Sequence, residues 1–135
     1  MKNIESVLTL ERLVFNNIEF NRKGFKNDNE ITFSIEVQIG KRKSQNGISQ
    51  VTLILKGDKE DEYDFTISLS GFFSFNTDEE VDDALSESLI NRNAVAILMP
   101  FMRSQVSLLT AQPEVDCVVL PPFNINAMME EGTQE

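Results

Sequence analysis

The chain has 135 residues, 12 Lys+Arg against 22 Asp+Glu, no His, no Trp and one Cys, for a net charge of −10. That length suits one hydrophobic core, the 41% hydrophobic share with 10 Phe describes a globular chain, and the negative charge argues against nucleic acid or an anionic membrane as the partner. Without His the commonest general base and zinc ligand are missing, and a single Cys forms no internal disulfide or multi-thiolate site, so no enzyme and no cofactor is expected.

Residues 1–7 carry Glu5 and no continuous apolar run, unlike a signal peptide. The longest apolar stretch, 94–102, is interrupted by Pro100 and is about half a bilayer span. These features predict a cytoplasmic chain without membrane insertion, folded as a single domain over 1–135. Strands are expected over about 8–75, helices and a Pro-containing connector over about 77–131.

The stretch 8–20 is apolar and β-prone, and its alternation slips at Asn16-Asn17, which predicts a bulge in a first strand. Residues 31–39 alternate strictly, with Ile31, Phe33, Ile35, Val37 and Ile39 on one face, the period of a strand with one wet side. Residues 51–55 and 63–70 supply two more strands, the last burying Tyr63, Phe65, Ile67 and Leu69. Turn-like connections at 21–29, 40–47 and 57–61 predict an antiparallel meander with one apolar face in need of a cover.

The second half supplies it. Thr77-Asp78-Glu79-Glu80 is a capping box that opens a helix to about residue 90. After Asn91-Arg92-Asn93 a second helical run begins, with Leu98, Met102, Val106 and Leu109 near one stripe that Ile97 and Phe101 extend. From Ala94 to Met102 it is apolar on nearly every side, which predicts burial on both faces, the second by another subunit. Pro100 predicts a kink. Pro113, Pro121 and Pro122 keep the following chain extended, with 115–120 laid over apolar surface, a short amphipathic helix at about 124–131 and an acidic tail at 130–135.

Chemistry-bearing groups are few. Cys117, beside Asp116, lacks a cation to activate it and reads as a buried structural thiol. The acids at 78–83 are explained by the capping box, and residues 58–62 read as a solvated hairpin tip. Lys41-Arg42-Lys43 is a basic turn that solubilises or touches an acidic partner. Met99, Met102, Met128, Met129, Phe101 and Phe123 crowd the C-terminal third, as core, interface or an adaptable binding surface.

Several patterns, in order along the chain, resemble the SecB family of export chaperones. Leu10-Glu11-Arg12-Leu13 and Ile18-Glu19-Phe20 look like its first strand, and Ser70-Gly71-Phe72-Phe73-Ser74-Phe75 like its Gly- and aromatic-rich strand end. Residues 96–103, with Pro100, Phe101 and Arg103, are similar to its long helix. Residues 120–128, Leu-Pro-Pro-Phe-Asn-Ile-Asn-Ala-Met, look like its approach to the last helix.

The resemblance implies an α+β fold: a four-stranded antiparallel sheet with a long helix and a short C-terminal helix on one face. It implies a dimer of dimers joined through the long helices, here Ala94, Ile97, Leu98 and Met102. It also implies ATP-independent holding of unfolded polypeptides in an apolar groove, for which Phe25, Phe101, Leu120, Phe123, Met128 and Met129 are the candidates. Positions that are acidic in export members, where they dock the SecA motor, hold Asn17, Asn21 and Thr66, so docking of SecA is not expected. The alternatives are a SecB-like chaperone dedicated to one partner, such as an antitoxin, and a fold-related interaction protein without general holdase activity.

Overall fold

The computed structural model describes residues 8–41, 48–75 and 83–123, and of residues 41, 75 and 83–90 the backbone alone. The capping box, the acids at 78–82, Arg42, Lys43, the C-terminal helix, Met128 and Met129 therefore lie outside the described residues. Four strands, β1 (Leu8–Arg22), β2 (Ile31–Lys41), β3 (Ile48–Lys59) and β4 (Tyr63–Phe75), precede one helix, α1 (Asp83–Thr110). The architecture is the expected α+β one, a four-stranded antiparallel sheet with α1 packed against it.

The strand order is β1-β4-β3-β2, so the sheet is not a simple meander. Strands β2, β3 and β4 are consecutive neighbours, while β1 lies beyond β4 and pairs with it from Leu8–Phe75 to Arg22–Tyr63. This is a Greek-key order, and the chain between β1 and β2 must pass the closed end of the β3–β4 hairpin. Register shifts fall at Asn16, where the slipped alternation predicts one, and at Glu11, where it does not.

Strict period two divides each inner strand into a dry and a wet face. Val51, Leu53 and Leu55 of β3 and Tyr63, Phe65, Ile67, Leu69 and Phe73 of β4 form the buried centre. Ala94, Val95, Leu98, Met99, Met102 and Val106 of α1 lie on it at helical spacing. Each of the Val, Leu, Ile, Phe and Met side chains among them stabilises the fold by roughly 1.5–3 kcal/mol when withdrawn from water. Gly71 lies under the helix: a Cβ there would stand 2.6 Å from Leu98 Cδ2 and 2.9 Å from Phe73 Cε2, so those side chains would have to shift to admit it.

α1 differs from its expected form in one way: it runs unbroken through Asn91-Arg92-Asn93, because Asn91 falls on the buried stripe and the polar triplet interrupts nothing. Within the chain its apolar 94–102 segment is covered on one side, and Ala96, Pro100 and Phe101 face outward, the side for which the sequence predicts a second subunit. Pro100 stands inside the helix on this exposed side, where water can satisfy the carbonyl one turn back.

Beyond α1 the chain folds back along it as an irregular connector over 111–123. Thr110 Oγ1 accepts from the Val118 amide at 2.8 Å and donates to the Val106 carbonyl at 2.9 Å, while Ser107 Oγ donates to the Val118 carbonyl at 2.9 Å. Val118 and Leu120 point inward and Val119 outward, as expected for an extended segment laid over apolar surface. Cys117 is the correction: the same period of two turns it outward, and it is exposed rather than buried.

Candidate functional site

The crossover between β1 and β2 meets the connector at one end of the sheet. Lys26 Nζ bonds Asp116 Oδ1 at 2.8 Å, and the Arg22 guanidinium donates to the Glu114 carbonyl at 3.2 and 3.3 Å. Arg103 of α1 reaches the Pro121 carbonyl at 3.4 Å, so helix and connector are joined as well. The Lys26 bond draws the Asp116 carboxyl below its usual range, and the Asp116 bond raises Lys26 in turn.

Around this junction and along α1, large apolar side chains stand in water. Phe25 on the crossover is 92% exposed, Val119 on the connector 80%, Leu108 69% and Phe101 41%. Among the predicted groove residues, then, Phe25 and Phe101 are accessible and Phe123 is half-buried against the core. Leu120 is 2% exposed and anchors the connector instead of lining a surface. Val119 and Leu108 were missed by sequence reasoning. The alternation Val118-Val119-Leu120 points to the first, and the seven-residue step from Phe101 to Leu108, two helical turns, to the second.

Of the predicted interface residues, Ala94, Leu98 and Met102 belong to the buried core of the chain. Ile97 is half-buried and shares the outer face of α1 with Phe101 and Leu108. On the far, wet face of the sheet, Asn17 is exposed, Asn21 Nδ2 donates to Asp64 Oδ1 at 3.0 Å, and Thr66 is half-exposed beside Glu19.

The crossover is fixed on the hairpin that it passes. The Lys23 and Gly24 amides donate to the Glu62 carbonyl at 2.7 and 3.1 Å, and the Asn27 amide donates to Glu62 Oε1 at 2.8 Å. Lys59 Nζ bonds the same Oε1 at 2.8 Å and the Asn27 carbonyl at 2.8 Å. Only glycine fits at position 24, since a Cβ would collide with the Asp61 carbonyl oxygen. Burial alone would raise the Glu62 carboxyl; the Lys59 bond and the Asn27 amide outweigh it and hold the group below its ordinary value. Residues 58–62 are thus no solvated tip throughout: Lys59 and Glu62 are buried.

Other chemistry is sparse. A depression of about 490 Å³ near the start of β2 is lined by Asn29, Glu30, Thr32, Asp58 and Glu60, all polar. Among the described residues no group of His, Cys, Asp or Glu is arranged to hold a metal ion, and no helix is long and apolar enough to cross a membrane.

No family profile matches the chain. It is 31% identical over 124 residues to the uncharacterized protein MJ0357 of Methanocaldococcus jannaschii, covering 80% of this chain and 77% of that one. In structure it is similar to the SecB-like chaperone Rv1957 of Mycobacterium tuberculosis, solved in complex with a ChAD peptide from the HigA1 antitoxin Rv1956. The TM-score is 0.72, with 88% of this chain and 92% of that chain covered at 9% identity. The fold is therefore SecB-like.

Proposed function

The chain belongs to the family of MJ0357, and we propose that it is an ATP-independent SecB-like chaperone that holds non-native polypeptide. One observation carries the reading: a SecB-like fold presents large apolar side chains to water, Phe25 foremost, on two irregular segments tied side by side. Irregular segments carrying non-directional apolar area suit a client that has no fixed surface of its own. Clients would lie across the crossover and connector, touching Phe25, Val119 and Phe123, with Met128 and Met129 as further candidates. The outer face of α1, Ile97, Phe101 and Leu108, would be covered by a second copy. No catalytic residue is invoked.

A client dedicated to this protein is favoured over general export. The SecB-like neighbour is held with an antitoxin peptide, and neutral side chains stand at Asn17, Asn21 and Thr66. The test is suppression of aggregation: a chemically unfolded protein is diluted with stoichiometric amounts of this chain, without ATP, and light scattering followed. Suppression near one oligomer per client supports the chaperone. Phe25→Ser with Val119→Ser should abolish most of it at unchanged oligomer size. No suppression would shift the reading to a binder of one folded partner.

A further inference from the structure

Among the described residues the two buried charges are Lys59 and Glu62, and they face each other. Such a pair is weak evidence for stability, because apolar side chains of similar volume often do as well or better. Here it is also incompletely satisfied: Glu62 Oε2 is buried with no hydrogen-bond partner among the described residues.

What the pair does is grip main chain. The Glu62 carbonyl takes the Lys23 and Gly24 amides, and the Glu62 carboxylate takes the Asn27 amide, while Lys59 takes the Asn27 carbonyl. Between these two fixed points stand Phe25 and Lys26, a two-residue arch with Phe25 in water and Lys26 on Asp116 of the connector. From outside, the Asn27 and Asn29 side-chain amides both donate to the Glu60 carbonyl, at 2.9 and 2.8 Å. Phe25 is thus almost wholly exposed while the backbone on either side of it is bound to one buried residue. An exposed aromatic on a fixed arch meets a client without losing backbone freedom on binding.

We propose that the buried Lys59–Glu62 pair is a positioning device for client capture: it sets the Phe25–Lys26 arch against the connector and does not itself touch the client. The proposal rests on the chaperone reading above. Lys59 and Glu62 act through Phe25, so their loss should matter only while Phe25 is present.

The test uses the full chain, with reduced, carboxymethylated lactalbumin as a permanently unfolded probe. Lys59→Met with Glu62→Leu keeps apolar cover over the site and removes the grip on Asn27. Amide exchange at Asn27, whose acceptor is the Glu62 side chain, should rise about tenfold or more, while the Lys23 and Gly24 amides on the Glu62 main-chain carbonyl, the β4 amides and oligomer size stay unchanged. Probe affinity should fall about five- to tenfold, and adding Phe25→Ser to the pair should cost nothing further, although Phe25→Ser alone weakens binding. Lys59→Arg should bind as the wild type does.

Unchanged affinity in the double variant with a freely exchanging Asn27 amide would overturn the positioning role, and an Asn27 amide that stays protected would overturn the grip. Additive losses from the pair and Phe25 would also overturn it. If the wild type binds no probe, the chaperone reading fails and the client half of the proposal with it; exchange still decides the grip. Should the double variant not fold, Asn27→Ala with Asn29→Ala loosens the arch from its exposed side while the residue 27 amide stays on Glu62; probe affinity with and without Phe25→Ser is then the readout, and an unchanged affinity would overturn the role of the fixed arch.

Discussion

Glu62 shows how much one residue can hold. Its carboxyl is kept below the ordinary value of 4.5, burial being outweighed by Lys59 and the Asn27 amide. Between those two values the unfolded chain binds more protons than the folded one, so stability rises with pH there. The contribution of Glu62 is complete above 4.5 and is lost as pH falls through the lowered native value. The thermal midpoint of the wild type, followed by circular dichroism, should fall more steeply on acidification below 4.5 than that of Lys59→Met/Glu62→Leu, in which this group is gone. Equal slopes would show that other carboxylates govern acid unfolding. Breaking the pair on one side, by Lys59→Met alone, should cost about 2–3 kcal/mol in urea unfolding, more than the double change, because it strands a buried carboxylate. Gly71 makes a second claim at this scale. With Leu98 Cδ2 at 2.6 Å from the added Cβ, Gly71→Ala overpacks the sheet–helix contact. A loss of about 1–3 kcal/mol is expected, and Leu98→Val in the same chain should recover part of it.

Among the elements, what the sequence shows depends on whether the deciding neighbour is near in the chain. Alternation over residues 31–39 and 63–70 places β2 and β4 correctly, because period two is a property of each strand alone. Pairing partners are not: nothing in 8–20 says that β1 lies beside β4 instead of β2. The same holds for the candidate site. Phe25 and Phe123 stand out by type, yet Lys59 and Glu62 read as part of a solvated charge run until the crossover covers them. The sequence does hold a clue, since Val51, Leu53, Leu55, Gly57 and Lys59 continue one inward period to the end of β3. In α1, the polar triplet at 91–93 suggests a break that the buried stripe through Asn91, Ala94, Val95 and Leu98 overrides. The outer face of that helix is what a second copy would cover. Phe101→Glu with Leu108→Glu places two acids on it and spares the intrachain stripe, so the helix should remain folded while light scattering reports a smaller particle. A wild type already monomeric at micromolar concentration would sink this role for the face.

At the scale of the whole molecule, apolar exposure has to coexist with solubility. A net charge of −10 opposes non-specific aggregation, while on the chaperone reading proposed above Phe25 and Val119 would supply client contact and the outer face of α1 the contact with a second copy. The two parts should separate kinetically. Long-range attraction acts on approach, and a basic unfolded client would be drawn to so acidic a surface faster than an acidic one. Raising ionic strength from about 0.01 M to 0.1 M shortens the screening length from roughly 30 Å to 10 Å. Association of a basic client should slow several-fold across that range, while its dissociation, governed by apolar contact and the fixed arch, should change little. Stopped-flow fluorescence with the same client at both salts measures the two rates. The Phe25→Ser variant should show the complementary pattern, a faster dissociation with an unaltered salt response. If salt acted on dissociation instead, ion pairs and not apolar side chains would hold the client, and Lys26 and the acids near the start of β2 would become the contact residues to change next.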